Sequence, residues 1–241
     1  MSERIVAVVL AGGLGTRLRS VLPDVPKPMA PVAGRPFVEW VLRYLAAQGV
    51  AEAVISTGYR AGVFTEHFAA HPVHGMREIR CVAEPEPMGT AGGFLFAAST
   101  VAPRPDAWLV LNGDSLILAD LRPLFASSGD AALLALWMDD AARYGSLAVS
   151  EAGNLLGFCE KRPGPSWINS GVYLVRDALL TRFPPQRPLS WETDVFPNLL
   201  ESGARIGVTR TRDPFIDIGL PETLAQAEAF IRENAGAFAE R

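Results

Sequence analysis

In the stretch AGGLGTRLRSVLPDVPKPM, residues 11–29, Gly12, Gly13 and Gly15 precede Arg17, and Lys27 follows between two prolines. Glycines let backbone N–H groups come close to phosphate oxygens and cradle them. Arg17 and Lys27 add two cations whose charges suit the spread negative charge of a triphosphate. Two familiar phosphate-binding patterns do not account for the stretch. A dinucleotide fingerprint GxGxxG begun at Gly13 and Gly15 meets Leu18 where the last glycine belongs, and the pattern GxxxxGK[ST] does not occur.

Such a loop needs a scaffold, and the surrounding sequence supplies one. The loop leaves an apolar run, IVAVVL, and is followed by an alternation of β-rich runs and amphipathic segments: PFVEWVLRYLAAQG, EAVISTG, VFTEHFAAH, IRCVAE, AGGFLFAAST and WLVLNGD. This is a βαβ series, so the fold class is α/β with a mostly parallel sheet covered on both faces. The second half is less regular. AALLALWM, GSLAVSEAGNLLGFCEK, WINSGVYLV and ARIGVTRTRDPFIDIG read as strands, with a hairpin turn near Asn154. RDALLTRF, WETDVFPNLLESG and PETLAQAEAFIREN read as helices, the last with Pro221 at its start. A glycine-rich turn at the carboxyl end of the first strand lies where open α/β sheets bind ligands.

Composition narrows the class of partner. The 241 residues suffice for one large domain with a sizeable core, and neither a linker nor a repeat interrupts them. The net charge is −4, from 22 basic and 26 acidic residues without long runs of either sign, which argues against a nucleic-acid coat or an anionic membrane surface. Cys81 and Cys159 form no CxxC and no cysteine–histidine cluster, so they read as core residues. The N-terminal apolar run is too short to span a bilayer and enters the glycine loop directly, so the expected location is cytoplasmic. His67, His71 and His74 crowd one surface away from every motif and read as solvated.

The string LAGGLGTRL followed by PKPM resembles the signature of sugar-1-phosphate nucleotidyltransferases, the nucleotide-sugar pyrophosphorylases. The resemblance runs from Val9 to about Glu222. It implies a Rossmann-like nucleotidyltransferase fold, a mostly parallel mixed central sheet flanked by helices (GT-A-like). It also implies one domain over 1–241, with a nucleotide-binding half to about residue 115 and a sugar-phosphate half from about 116. PMGTAGG, RYGS and FIDIG are similar to the bacterial branch acting on D-glycero-α-D-manno-heptose 1-phosphate with GTP. Mannose-1-phosphate guanylyltransferases, uridylyltransferases and a non-catalytic nucleotide-sugar-binding protein are the alternatives.

The resemblance also assigns residues. Arg17, Lys27 and Asp114 would be catalytic, and Asp114 in WLVLNGDS and Asp217 in PFIDIG would hold Mg2+, a hard cation that prefers oxygen ligands. Nucleotide contacts would come from Leu10, Ala11, Gly12, Gly13, Gly15, Thr16, Arg17, Glu84, Gly89 and Thr90. Glu84 opens a base-recognition segment, EPEPMGTAGG, whose following helix would turn its N-terminus toward the ligand. One carboxylate can accept guanine N1–H and N2–H together, which favours GTP. Sugar-phosphate contacts would come from Asn112, Gly145, Glu160, Lys161 and Asn169. Here the usual E-K-P reads Glu160-Lys161-Arg162-Pro163. The implied partners are GTP and a sugar 1-phosphate, with no nucleic acid and no membrane, and with room for a homo-oligomer.

Overall fold

The computed structural model describes residues 3–13, 18, 22, 24–159 and 163–239. The apolar run Ile5–Ala11 forms β1 at the centre of the sheet, parallel to β4 (Glu52–Thr57) on one side and to β6 (Ala107–Asn112) on the other. β5 (Glu78–Ala83) lies parallel outside β4. The chain thus moves outward from β1 through β4 to β5, then returns to the other flank of β1 through β6. That reversal is a topological switch point, where a crevice opens at the carboxyl ends of the strands.

Alternate side chains of β1 feed two cores, as strand geometry requires. Ala7 and Val9 join Phe37, Val41, Leu42 and Leu45 of α1 (Phe37–Ala47), together with Phe64 of α2 (Ala61–Ala70). Val6 and Val8 join Phe94, Ala97 and Ala98 of α3 (Thr90–Ser99), with Trp108, Trp191 and Phe196 behind them. Each fully buried Phe or Leu contributes about 1.5–3 kcal/mol relative to exposure. Cys81 on β5 is a packing residue: burial pushes its thiol up to about 11, and a hydrogen bond with Thr65 only partly offsets this.

The second half turns the sheet mixed. β11 (Ser166–Arg176) runs antiparallel to β6 through Tyr173–Arg176 and antiparallel to β8 (Ala131–Met138) along most of its length. Its register shifts between Asn169 and Tyr173. β12 (Ile206–Thr211) adds parallel to β8, while the hairpin of β9 (Ser146–Val149) and β10 (Leu155–Cys159) joins β11 at Ile168. The hairpin turns through Ser150–Asn154, where the sequence places it. α6 (Pro221–Glu233) begins at Pro221, and the Thr223 hydroxyl accepts from the Leu220 N–H at 3.3 Å.

The structure departs from the sequence reading in four short places. Residues 177–182 form a 3₁₀ turn in place of an α-helix; Asp177 accepts hydrogen bonds from Trp108 and Arg104, and prolines follow at 184 and 185. The expected helix over WETDVFPNLLESG divides into a wide π-type turn at Trp191–Val195 and α5 (Phe196–Glu201). Pro197 has no N–H to give to the preceding turn, so regular helix starts beside it. A hairpin of β2 (Pro31–Val32) and β3 (Arg35–Pro36) turns on Ala33 and Gly34, both with positive φ. Finally, β7 (Ser115–Ile117) pairs antiparallel with β13 (Phe215–Asp217). α4 (Arg122–Phe125) is a single short turn. Among the described residues, no helix is long and apolar enough to cross a membrane.

Candidate active site

The β7–β13 pair brings two distant carboxylates together. Asp217 stands opposite Ser115 in the ladder, and the Ile218 N–H donates to the Asp114 carbonyl at 3.0 Å, so Asp114 and Asp217 leave adjacent strand ends side by side. Lys27 reaches them from a 3₁₀ turn, Lys27–Met29, closed by Met29 N–H to the Pro26 carbonyl at 2.8 Å. Its Nζ lies 2.7 Å from Asp114 Oδ2 and 3.5 Å from Asp217 Oδ1. The Gly219 N–H donates to Asp217 Oδ1 at 2.7 Å, and a Cβ at Gly219 would stand 2.8 Å from that oxygen and 3.1 Å from Lys27 Nζ. Tyr144 packs against Phe215; burial pushes its phenol up, and the charge of Asp217 adds to this, so it stays neutral.

These residues fit a hard divalent cation. The ammonium of Lys27 already occupies the gap between two carboxylates with a positive charge. Among the described residues no group of three or more acidic, histidine or cysteine side chains could hold a metal. Two carboxylates completed by substrate phosphate oxygens are the ligand set that Mg2+ characteristically uses.

Beside the carboxylates, a cleft of about 650 Å³ follows the switch point. Leu10, Gly12 and Gly13 line it at the end of β1, Asn112 and Asp114 at the end of β6, and Glu84 through Thr90 after β5. The Gly113 N–H donates to the Leu10 carbonyl at 2.8 Å and locks the two loops together. The side chain of Ala11 is buried in the core beneath them. Gly15, Thr16 and Arg17 in the loop, and Glu160 and Lys161 after β10, lie outside the described residues.

At the far end of the cleft, Glu84 is held from several directions. Its N–H donates to the Thr57 carbonyl at 2.7 Å, Ser56 Oγ donates to Oε1 at 2.9 Å, and the Met88 N–H donates to Oε2 at 3.3 Å. The carboxylate lies between the backbones of Gly12 and Gly93, where a Cβ at either would approach Oε1 to 2.6 Å. Only glycine at both positions leaves this space. The N-terminus of α3 is less open than the sequence implies: the N–H groups of Ala91 and Gly92 both donate to the Leu189 carbonyl, at 2.9 and 3.1 Å. Gly89 itself abuts Leu189.

Among the residues expected to contact the sugar phosphate, the Asn169 N–H donates to the Gly145 carbonyl at 3.2 Å, so two of them are neighbours. Asn112 rests against Gly171, which is left-handed at φ +76°, and a Cβ there would run into Asn112 Nδ2. Asn169 Nδ2 donates to Tyr173 Oη at 2.7 Å and to Glu192 Oε1 at 3.2 Å, while its Oδ1 accepts the Gly171 N–H at 3.0 Å. Burial, with the charge of Glu192, holds the Tyr173 phenol well above its ordinary range, so it serves as a neutral donor to Glu192 Oε1 at 3.1 Å.

Sequence reasoning passed over Ser56, Tyr59, Tyr173 and Glu192. Tyr59 lines the cleft and is 38% exposed, an unusual state for a large aromatic ring on this chain. A tyrosine directly after the TG that ends β4 was the available signal. The histidine reading needs correction: His67 is not solvated but pairs with the buried Glu39 at 3.1 Å, because α2 packs over α1. His71 stacks on it with ring centroids 4.6 Å apart, and none of the three histidines lines the cleft.

A glycine-edged cleft at the switch point of an α/β sheet, ending at two carboxylates and a lysine, has the features of a nucleotide-phosphate site. The chain belongs to the nucleotidyl transferase family, whose model matches residues 6–234. It is 36% identical, over 90% of its length and 95% of the relative's, to a D-glycero-α-D-manno-heptose 1-phosphate guanylyltransferase of Campylobacter jejuni. A mannose-1-phosphate guanylyltransferase of Mycobacterium tuberculosis is 34% identical, over 95% of this chain and 65% of that protein. Among solved structures, HddC from Yersinia pseudotuberculosis complexed with GMP-PN superposes with a TM-score of 0.81 at 31% identity, covering 93% of this chain and 98% of that one.

Proposed function

We propose that this chain transfers GMP from GTP to a sugar 1-phosphate, D-glycero-α-D-manno-heptose 1-phosphate foremost, giving a GDP-sugar and pyrophosphate. The observation that carries the reading is the convergence of Asp114, Asp217 and Lys27 at the end of the nucleotide-sized cleft. The 36% identical heptose 1-phosphate guanylyltransferase, covered over 95% of its length, supports the choice of sugar. Mannose 1-phosphate is the second reading, favoured by the 34% identical mannose-1-phosphate guanylyltransferase.

An oxygen of the sugar 1-phosphate attacks the α-phosphorus of GTP in line, and the bond to the β-phosphate oxygen breaks. The attacking phosphate is already ionised, so no general base is required. Mg2+, held by Asp114 and Asp217, would neutralise phosphate charge. Gly12 and Gly13 offer backbone to the phosphates, Glu84 accepts the guanine N–H pair, and Asn112, Gly145 and Asn169 flank the sugar phosphate. Lys27 and Arg17 stabilise charge on the transferring and departing phosphates, so catalysis is positioning and charge neutralisation. We assign the reaction to one catalytic domain in the cytoplasm, its halves dividing near residue 115.

Pyrophosphate release from a panel of nucleoside triphosphates and sugar 1-phosphates tests this reading. GTP with the heptose 1-phosphate should give the highest kcat/KM. Turnover only with UTP and an amino-sugar phosphate would overturn it.

A further inference from the structure

We infer that Glu192 reads one hydroxyl of the sugar through its Oε2 atom, and that Asn169 and Tyr173 are the positioning residues that hold it there. The inference rests on the sugar 1-phosphate reading above and assigns its sugar recognition to a residue that lies 23 positions beyond Asn169 in the sequence.

Asn169 itself has little left to offer a sugar. Its Nδ2 donates to Tyr173 Oη and Glu192 Oε1, and its Oδ1 accepts from the Gly171 N–H. An amide nitrogen has two hydrogens, so no donor is free. Tyr173 is fully buried, and its hydroxyl donates to Glu192 Oε1. Both residues therefore point their hydrogens at the same carboxylate oxygen.

Glu192 receives three hydrogen bonds in all. Oε1 accepts from Asn169 at 3.2 Å and Tyr173 at 3.1 Å, which occupies both of its lone pairs; Oε2 accepts only from Ser190 Oγ, at 3.2 Å. A carboxylate offers about four acceptor sites, so one remains on Oε2. Among the described residues no cation pairs with Glu192. A carboxylate fixed by neutral donors and lacking a counter-charge is a strong acceptor for a hydroxyl, since hydrogen bonds to charged groups exceed those between neutral ones.

The position of the carboxylate relative to the cleft follows from its neighbours. The Trp191 N–H donates to Thr90 Oγ1 at 3.2 Å, and Thr90 lines the cleft. On the other flank, Asn169 leads into Gly171, against which the cleft-lining Asn112 rests. Glu192 sits on a π-type turn, Trp191–Val195, directly after the residue that bonds Thr90, and its carboxylate is tied to Asn169 on β11.

The test uses the full chain with Glu192→Gln and Glu192→Ala, a set of sugar 1-phosphates each lacking one hydroxyl, and GTP binding measured by titration calorimetry. Each variant should lose about 10- to 100-fold in kcat/KM for the sugar 1-phosphate, the range of one hydrogen bond to a charged group. GTP affinity should stay at the wild-type level in both variants, and the thermal midpoint of Glu192→Gln, whose amide oxygen can still accept from Tyr173, should stay close to wild type, while Glu192→Ala, which leaves Tyr173 and Asn169 without that acceptor, should melt lower. For one deoxy analogue, wild type and variants should converge, which identifies the hydroxyl read by Oε2. Should the alanine variant fail to fold, Glu192→Asp, which retracts the charge by one methylene, should show the same pattern. Variants as active as wild type on the intact sugar, or an equal loss by Glu192→Gln on every deoxy analogue, overturn the inference. A wild-type chain that turns over no sugar 1-phosphate overturns the functional reading instead.

Discussion

Lys27 Nζ and Asp114 Oδ2 are 2.7 Å apart although their residues are 87 positions apart, and the same ammonium reaches Asp217 at 3.5 Å. One positive charge is thus shared by two carboxylates at the end of the cleft of about 650 Å³. A divalent cation held by Asp114 and Asp217 would compete with Lys27 for the same oxygens, and the predictions for the site test that competition.

Asp114→Asn and Asp217→Asn should each fold yet lose activity at least about 100-fold, since even changes outside the ligand shell cost about 10–100-fold in metal sites. The amide is a poor ligand for a hard cation. Activity as a function of Mg2+ concentration checks this, and a variant with wild-type turnover at low Mg2+ would remove that aspartate from the metal assignment.

Lys27→Met leaves Asp114 and Asp217 facing each other without a counter-charge. In EDTA its thermal midpoint should fall below wild type, and added Mg2+ should recover the difference. Mn2+ binding without nucleotide, followed by electron paramagnetic resonance, should be tighter than in wild type. Turnover should nonetheless fall by about 100-fold or more in kcat, the ordinary cost of one electrostatic donor lost from a transition state. Equal Mn2+ affinity in the two proteins would show that the ammonium and the cation do not compete.

The parallel half of the fold is legible in the sequence because β1 and β6 are almost wholly apolar runs and β4 is centred on one, joined by amphipathic helices. β7 and β13 are not: three residues each carry no periodicity, and their partnership joins positions about a hundred apart. Asp114 and Asp217 could be named from the motifs around them, but the pairing that sets them side by side could not. Glu192 was invisible for a related reason. Its donors, Asn169 and Tyr173, sit on β11, and only the π-type turn brings the carboxylate to them. The solvated reading of His67 failed because its partner, Glu39, lies on another helix 28 residues away, whereas the i,i+4 pairs of Glu39 with Arg35 and Arg43 lie within reach of a single turn.

Glu84→Gln isolates base reading from folding. A glutamine can present its oxygen to the Met88 N–H and its amide nitrogen to Ser56 Oγ, whose own hydrogen can turn to the Gly93 carbonyl, 3.2 Å away. No internal hydrogen bond need be lost. The amide cannot accept both guanine donors, so the GTP:UTP ratio of kcat/KM should fall by about 10- to 100-fold. An unchanged ratio would move base reading to the backbone around Gly89.

The Glu39 cluster governs acid stability away from the cleft. Glu39 on α1 is buried, and Arg35 Nη1, Arg43 Nε and His67 Nε2 stand 2.6, 3.1 and 3.1 Å from its oxygens. Burial alone would push its carboxyl up, but hydrogen bonds from His67, Arg35 and Arg43 outweigh it and hold it below its ordinary value of 4.5. The folded chain therefore binds fewer protons here than the unfolded one. The resulting stability is present above about pH 4.5 and is lost as pH falls through the lowered folded value. Urea midpoints measured between about pH 3 and 7 should fall at the acidic end for wild type, and less steeply for Glu39→Gln, which has no proton to take up. Glu39→Ala removes the partner of two partly exposed guanidinium groups and of His67, and should be destabilised by about 1–3 kcal/mol at neutral pH, the cost of polar groups that lose their partner. Identical acid limbs for wild type and Glu39→Gln would show that another carboxylate sets the acid limit of this fold.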